Sequence, residues 1–148
     1  MSVLEGKKIL LGVTGSIAAY KSIILLRLLK REGADVQVIF SDSANNFVTQ
    51  LTFSTLSEKK VLTDFFEDDD KVEWVNHVEL AEWADYMIIA PITSSTLSKL
   101  VTGNADNLLV ATYMSTVCDV FFAPAMDLEM YNSESVSYTH LTLPTRLP

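Results

Sequence analysis

Short apolar runs alternate along the chain with segments of helical periodicity. Runs at residues 8–11, 35–40, 86–91 and 120–124 have the character of strands that are buried on both faces. Helical segments separate them, and this βαβ spacing implies right-handed crossovers between parallel strands. The pattern therefore predicts an α/β fold with a doubly wound, mostly parallel sheet of the Rossmann-like or flavodoxin-like type.

The first helix is amphipathic. Ile17, Tyr20, Ile24 and Leu28 fall on one face, with Leu25 and Leu29 beside them, and Glu32-Gly33 ends the helix. Later helices are predicted over residues 46–56, over 76–85 with Asn76 as N-cap, and from the turn at 93–96 to about Thr102, where Gly103 closes the helix. Another begins after Asp106, a plausible cap. In the 76–85 helix, Leu80, Ala81 and Ala84 face inward.

The turn between the first strand and the first helix, residues 12–21, carries the clearest candidate chemistry. Gly15 can adopt backbone angles that other residues avoid and lets a ligand approach the main chain closely. Ser16 can cap the helix or donate its hydroxyl. Because a helix N-terminus favours anions, a phosphate is the expected occupant. The turn matches neither the dinucleotide fingerprint nor a P-loop, and simply connecting strand to helix is the alternative reading.

Small polar residues follow the other strands too. Residues 41–45 end the second strand, the hydroxyl cluster at 93–96 ends the third, and residues 125–132 follow the fourth. Plain helix capping would explain many of them. In an open parallel sheet, however, the carboxyl ends of the strands share one edge, where ligands bind. We therefore expect one crevice at that edge.

His77 is the one credible imidazole acid or base. The chain has two histidines, and His140 lies in an atypical C-terminal segment. An imidazole exchanges protons near neutral pH, although a lone histidine is more often a structural residue.

Composition narrows the function classes. The chain has 148 residues, 49% of them hydrophobic, and a mean hydropathy of +0.24, which fits one well-packed domain. No apolar run approaches the roughly 18–20 residues of a membrane span, and the N-terminus lacks a signal-peptide pattern. A net charge of −8 argues against nucleic-acid binding. The single cysteine, Cys118, fits a reducing cytoplasm and is predicted to be a small buried residue. No metal ligands are assigned, and the acidic run at 67–70 is read as a solvated loop.

The C-terminal segment differs from the rest. Residues 133–148 have no helical period and two prolines, and they do not continue the α/β alternation. We expect the native domain to cover residues 1–132 and the remainder to be a foreign translation product.

Four ordered blocks, at residues 12–21, 77–85, 90–96 and 123–131, make the sequence recognisable. Together they resemble the homo-oligomeric flavin-containing cysteine decarboxylases, and among them the phosphopantothenoylcysteine decarboxylase domain of bifunctional coenzyme A biosynthesis proteins. The resemblance implies an FMN cofactor, a thiol substrate and assembly into trimers or multiples of trimers. By matching position, His77 is the catalytic residue and Asp127 and Met130 bind substrate. The implied FMN contacts are Gly15, Ser16, Ile17, Ser41, Thr93, Ser94, Ser95, Thr96 and Ala125.

The reaction that the resemblance implies begins with oxidation of the substrate cysteine to a thioaldehyde, with the hydride going to FMN. Carbon dioxide then leaves, because the new C=S bond accepts the electrons and becomes an enethiolate. The reduced flavin returns its two electrons to the enethiolate, which gives phosphopantetheine. His77 serves as acid and base at the thiol.

Two departures from the family pattern qualify this expectation. Asp127 stands where the family usually has asparagine, and its charge would repel a substrate carboxylate. The family's reductive cysteine lies on a flap beyond the last block, and Cys118 does not replace it. We therefore expect FMN binding with weak oxidative decarboxylation and impaired reduction.

Three rival interpretations fit the sequence less well. A flavin prenyltransferase would share the Gly-Ser turn but not the His77 block. A non-catalytic FMN-binding regulatory protein would not need His77. A dinucleotide-binding domain would need an acidic residue after the second strand, where Phe40-Ser41 stands.

Overall fold

A computed structural model describes residues 3–65 and 75–133. Four parallel strands form one sheet in the described part of the chain, as predicted for the doubly wound class. The acidic run at 67–70 and residues 134–148, most of the segment predicted to be foreign, lie outside the described residues. The strands are β1 (Lys8–Val13), β2 (Asp35–Phe40), β3 (Tyr86–Ile92) and β4 (Asp119–Pro124). Their order in the sheet is β2-β1-β3-β4.

Six α-helices accompany the sheet in the described part of the chain. Short 3-10 helices over Ile17–Tyr20 and Asp42–Asn46 follow β1 and β2 respectively. The α-helices are α1 (Lys21–Arg31), α2 (Gln50–Ser57), α3 (His77–Trp83), α4 (Ser94–Thr102), α5 (Leu108–Ser115) and α6 (Leu128–Tyr131). No described helix is long and apolar enough to cross a membrane.

Neighbouring residues of each strand enter two different cores. Leu11 packs in a cluster with residues of α1 and α2, whereas Leu10 packs in a second cluster with residues of α4 and α5. This split follows from the strand period of two, which sends successive side chains to opposite faces. Around β1, the sheet is thus covered on both faces, as near-continuous apolar strands require.

The fourth strand is less buried than the sequence predicts. β4 forms an edge of the described sheet, and each of its residues is exposed or half-buried. Phe121 is 54% exposed, whereas Phe122 packs on the second core cluster. Helices α1 and α2 lie over β1 and β2, so the α1 side of β4 has no helix above it among the described residues. The prediction of a core strand was wrong on that side.

The apolar stripe of the first helix faces outward. Ile17, Tyr20, Ile24 and Leu28 are 47–81% exposed. The face turned to the sheet instead carries buried Ser22, Leu26 and Leu29, because sheet contact selects the helix face that lies against β1. The stripe is an unpartnered apolar surface within the described structure.

Three local details differ from expectation. The helix predicted over 46–56 begins at Gln50, because Asp42–Asn46 form a 3-10 helix first. Asn107, and not Asp106, caps α5 by accepting from the Val110 N–H at 3.0 Å. Asp106 instead pairs with Lys99, whose Nζ lies 3.2 Å from its carboxylate oxygens. Cys118 is half-buried against the second core cluster.

Candidate active site at the carboxyl edge of the sheet

Thr14 joins the ends of the two central strands. The regular pairing of β1 with β3 runs to Gly12 and Ile89, and Thr14 extends the connection past it. Its Oγ1 donates to the Pro91 carbonyl at 2.7 Å and accepts from the Thr93 N–H at 3.1 Å. Thr14 is fully buried. One hydroxyl therefore sets the position of the first helix turn relative to the turn that begins α4.

Gly15 is required by packing and not by its backbone angles. Gly15 is not among the described glycines with positive φ, so the expected unusual conformation is not found. A Cβ at this position would instead lie 2.6 Å from the Cβ and 2.9 Å from the carbonyl carbon of Ser43. The turn after β2 therefore packs directly against the turn after β1, and only glycine permits this approach.

Two serines of these turns play different roles. Ser16 caps the 3-10 helix, since its Oγ accepts from the Ala18 N–H at 3.1 Å. Ser41 makes no side-chain cap. Its N–H donates to the Val13 carbonyl at 3.0 Å, and its Oγ lies 3.3 Å from that of Ser43. The pair of Ser41 and Ser43 thus presents hydroxyls beside Gly15.

The hydroxyl residues after β3 have two roles, since one caps α4 and others remain accessible. Thr93 is the N-cap of α4 and accepts from the Thr96 N–H at 3.3 Å. The Thr93 hydroxyl also lies 3.2 Å from that of Thr96, which is buried. Ser94 is half-buried and Ser95 is exposed. Because first-turn N–H groups have no acceptor within their own helix, Ser94 and Ser95 offer both hydroxyls and main-chain donors.

The turn after β4 is tied to the same edge. The Ala125 N–H donates to the Ile92 carbonyl at 3.0 Å. Asp127 caps the short α6, because its Oδ1 accepts from the Met130 N–H at 2.7 Å. Asp127 and Met130 are both exposed, and one carboxylate oxygen of Asp127 is already engaged in this cap.

His77 lies at the same edge of the sheet, but it belongs to α3 and not to a turn that directly follows one of the four strands. Leu62 pairs in parallel with Ile39 of β2, so Phe65, three residues further, lies towards the carboxyl edge. The rings of His77 and Phe65 are nearly perpendicular, with centroids 6.0 Å apart. Asn76 caps α3 as predicted, accepting from the N–H groups of Val78 and Glu79. This capping places His77 in the first turn of the helix.

The imidazole of His77 carries an unusual polar atom. Its Nδ1 is buried and has no hydrogen-bond partner among the described residues. Because buried polar atoms are nearly always paired, such an atom suggests a partner that joins the site from outside. The contact described for the His77 ring is with Phe65. His77 and the hydroxyl turns are assigned to one site because they lie at the same edge of the sheet.

A cleft of about 300 Å³ opens beside the start of α1. Ala18, Lys21, Ser22 and Leu25 line one wall, and the ends of β3 and β4 line the other. Ser22 is buried and donates its hydroxyl to the Ala90 carbonyl, which fixes α1 to β3. Ala125 belongs to both the cleft and the rim of hydroxyl turns.

Sequence reasoning missed Thr14 and Ser43. Both belong to stretches that it singled out, but their partners are distant in the chain. A hydroxyl inside an otherwise apolar, buried stretch is the signal that points to Thr14, since such a group needs a partner. Ser43 carries no comparable signal, because its role depends on how two turns meet.

Comparison with known proteins agrees with this geometry. The CoaBC coenzyme A biosynthesis bifunctional protein of Bacillus subtilis is 40% identical over 134 residues, which are 90% of this chain and 33% of that protein. A PPC decarboxylase mutant complexed with pantothenoylaminoethenethiol has a TM-score of 0.76 at 30% identity, covering 93% of this chain and 77% of that one. The FMN-dependent cysteine decarboxylase TvaF from thioviridamide biosynthesis has a TM-score of 0.84 at 27% identity, covering 92% and 83%.

This chain therefore spans about a third of the length of the curated relatives that it matches. The profile of the Flavoprotein family matches residues 2–145, nearly the whole sequence. The chain belongs to the Flavoprotein family.

Proposed function

We propose that this chain binds FMN and decarboxylates 4'-phosphopantothenoyl-L-cysteine towards 4'-phosphopantetheine, a step of coenzyme A biosynthesis. The observation that carries the proposal is the buried, unpartnered Nδ1 of His77 at the edge where the hydroxyl turns end. The relatives named CoaBC and the PPC decarboxylase structure support the choice of substrate.

The residues at the rim fit FMN. Its phosphate requires N–H and hydroxyl donors, which Ser16, Ser41 and the start of α4 supply. Ile17 is exposed and available to a flat ring, and Ala125 is held at the rim by its bond to Ile92. We assign the FMN contacts to Gly15, Ser16, Ile17, Ser41, Thr93, Ser94, Ser95, Thr96 and Ala125.

FMN, when bound, supplies the two-electron oxidation of the substrate cysteine. His77 takes the proton of the substrate thiol and returns one to the sulfur after carbon dioxide has left. Phe65 holds the imidazole ring from its edge. Met130 and Asp127 contact the substrate from the turn after β4, where both are exposed.

The same proposal includes self-assembly. The stripe of Ile17, Tyr20, Ile24 and Leu28 is an exposed apolar surface of the kind that marks protein–protein contacts. We assign it to contacts between copies in a homo-oligomer of trimers or multiples of trimers. The single cysteine excludes an internal disulfide and supports a cytoplasmic location.

The test begins with the visible spectrum of the purified protein after addition of FMN. We expect a bound-flavin spectrum that bleaches when 4'-phosphopantothenoylcysteine is added. His77→Asn should keep the yellow colour and lose carbon dioxide release by about 100-fold or more, the scale of acid–base catalysis. Glu79→Gln, exposed on the same helix, is the matched control. A protein that stays colourless with FMN contradicts the proposal. A His77→Asn variant that releases carbon dioxide as fast as the wild-type protein would favour a non-catalytic FMN-binding protein.

A further inference from the structure

Lys21 is an exposed cation at the start of α1. The first turn of α1 has no acidic side chain. The Lys21 N–H already donates to the carbonyls of Ala18 and Ala19, because the 3-10 helix Ile17–Tyr20 leads directly into α1. The side-chain ammonium, and not the helix terminus, is therefore the group that is available to a ligand.

No carboxylate offsets this charge in the described structure. The ion pairs among the described residues join Lys30 to Glu58, Lys59 to Asp35 and Lys99 to Asp106. The Nζ of Lys21 instead lies 6.0 Å from the ring centroid of Tyr20. The Lys21 ammonium is thus exposed and ready to pair with an anion.

The cleft beside Lys21 sets the shape of a suitable ligand. Its volume of about 300 Å³ is near the lower end for small-molecule pockets. Small apolar side chains of the β3 and β4 ends form much of the wall, and Lys21 is the one charged residue among the described residues of the lining. This combination fits an aliphatic arm that ends in an anionic group. Because the chain carries a net charge of −8, a local cation is needed to hold an anion here.

We propose that this cleft takes the phosphate-bearing arm of the substrate, with Lys21 binding the terminal phosphate. The proposal rests on the proposed function, and it adds the residue that selects a phosphorylated substrate over its dephosphorylated form. Ala125 lines the cleft and also belongs to the hydroxyl rim, so an arm in this cleft leads to the site assigned to the flavin.

The test compares two ligands that differ only in the phosphate. Calorimetric titration with 4'-phosphopantetheine and with pantetheine should show a preference of the wild-type protein for the phosphorylated ligand of about 10- to 100-fold, the scale of one charge-assisted contact. Lys21→Gln should abolish the preference, and Lys21→Arg should retain most of it. Arg27→Gln, which removes another exposed cation of α1, should leave it unchanged.

Any other result contradicts the assignment of Lys21 to the substrate phosphate. It fails if the wild-type protein binds both ligands equally or binds neither, or if Lys21→Gln keeps the preference. FMN affinity, followed by visible absorbance, separates the cofactor phosphate from the substrate phosphate: an equal loss of FMN affinity in Lys21→Gln would assign Lys21 to the cofactor. A different result would contradict the proposed function: a wild-type protein that does not bind FMN but still prefers 4'-phosphopantetheine.

Discussion

The hydroxyl of Thr14 donates to the main-chain carbonyl of Pro91 at 2.7 Å, across 77 positions of the sequence. The same oxygen accepts from the Thr93 N–H. The turns after β1 and β3 are both candidates for phosphate binding. One buried side chain therefore fixes their positions relative to each other. This relationship makes Thr14 a positioning residue for the candidate cofactor site.

Replacing Thr14 by valine keeps the shape and removes the hydroxyl. The change leaves the Thr93 N–H without its acceptor, so we expect a loss of about 1–3 kcal/mol in the free energy of unfolding. FMN affinity should fall about tenfold or more, because the two turns lose their common anchor. Urea unfolding and FMN titration measure the two effects. Thr14→Ser should restore both, and a Thr14→Val protein with normal FMN affinity would contradict the positioning role.

Gly15→Ala tests the contact between the turns after β1 and β2. The added methyl group meets the Ser43 side chain and main chain, so the turns must separate. We expect destabilisation of about 1–3 kcal/mol, as for other overpacked sites, together with weaker FMN binding. Adding Ser43→Gly should restore part of both losses, since it removes the clashing side chain. Thermal unfolding and FMN titration give the readouts, and Gly15→Ala without either effect would refute the contact.

Asp127→Asn should improve the substrate site. The asparagine oxygen can still accept from the Met130 N–H, so the cap of α6 is kept. Removing the negative charge eliminates repulsion of the substrate carboxylate, and we expect KM to fall about tenfold, on the scale of a surface charge interaction. Steady-state carbon dioxide release measures this. Asp127→Ala, which removes charge and cap together, is the comparison, and an unchanged KM in Asp127→Asn would show that the substrate carboxylate lies elsewhere.

The stripe on α1 predicts the oligomeric state. Changing both Ile24 and Leu28 to glutamate places charges in the assigned contact, and the protein should shift to monomers. Light scattering after size-exclusion chromatography measures the mass. Arg27→Glu, on the same helix but outside the stripe, should leave the assembly intact. A double variant that keeps its full mass, or a wild-type protein that is already monomeric, would remove the stripe from the interface.

The ion pair between Lys99 and Asp106 should make the stability of the folded protein modestly dependent on pH. Hydrogen bonds from Lys99 and Asn107 hold the pKa of Asp106 below its ordinary value of 3.8. Since the pKa is lower in the folded protein, the pair stabilises at pH values above the unfolded value, and this contribution disappears as the pH falls through the folded value. Asp106→Asn should therefore lower Tm slightly at pH 7. The difference should narrow below about pH 4, and a constant difference in thermal scans across this range would argue against it.

Local signals in the sequence were sufficient for much of the architecture. The alternation of apolar runs with helical segments gave the order of strands and helices, because period and burial pattern are properties of neighbouring residues. Asn76 and Gly103 were predicted helix boundaries that the structure confirms. Asp106 was assigned wrongly as a cap, since Asn107 beside it is an equally good acceptor and only the geometry selects between them.

The sequence by itself determined the α/β class and the turns that meet at one edge of the sheet, and it predicts His77 as the acid–base residue there. Tertiary structure alone decided that Thr14 holds two of these turns, that Gly15 is required by Ser43, and that the apolar stripe of α1 faces outward. The physical reason is distance along the chain. Strand pairing brings together residues separated by dozens of positions, and no local pattern encodes which of them meet.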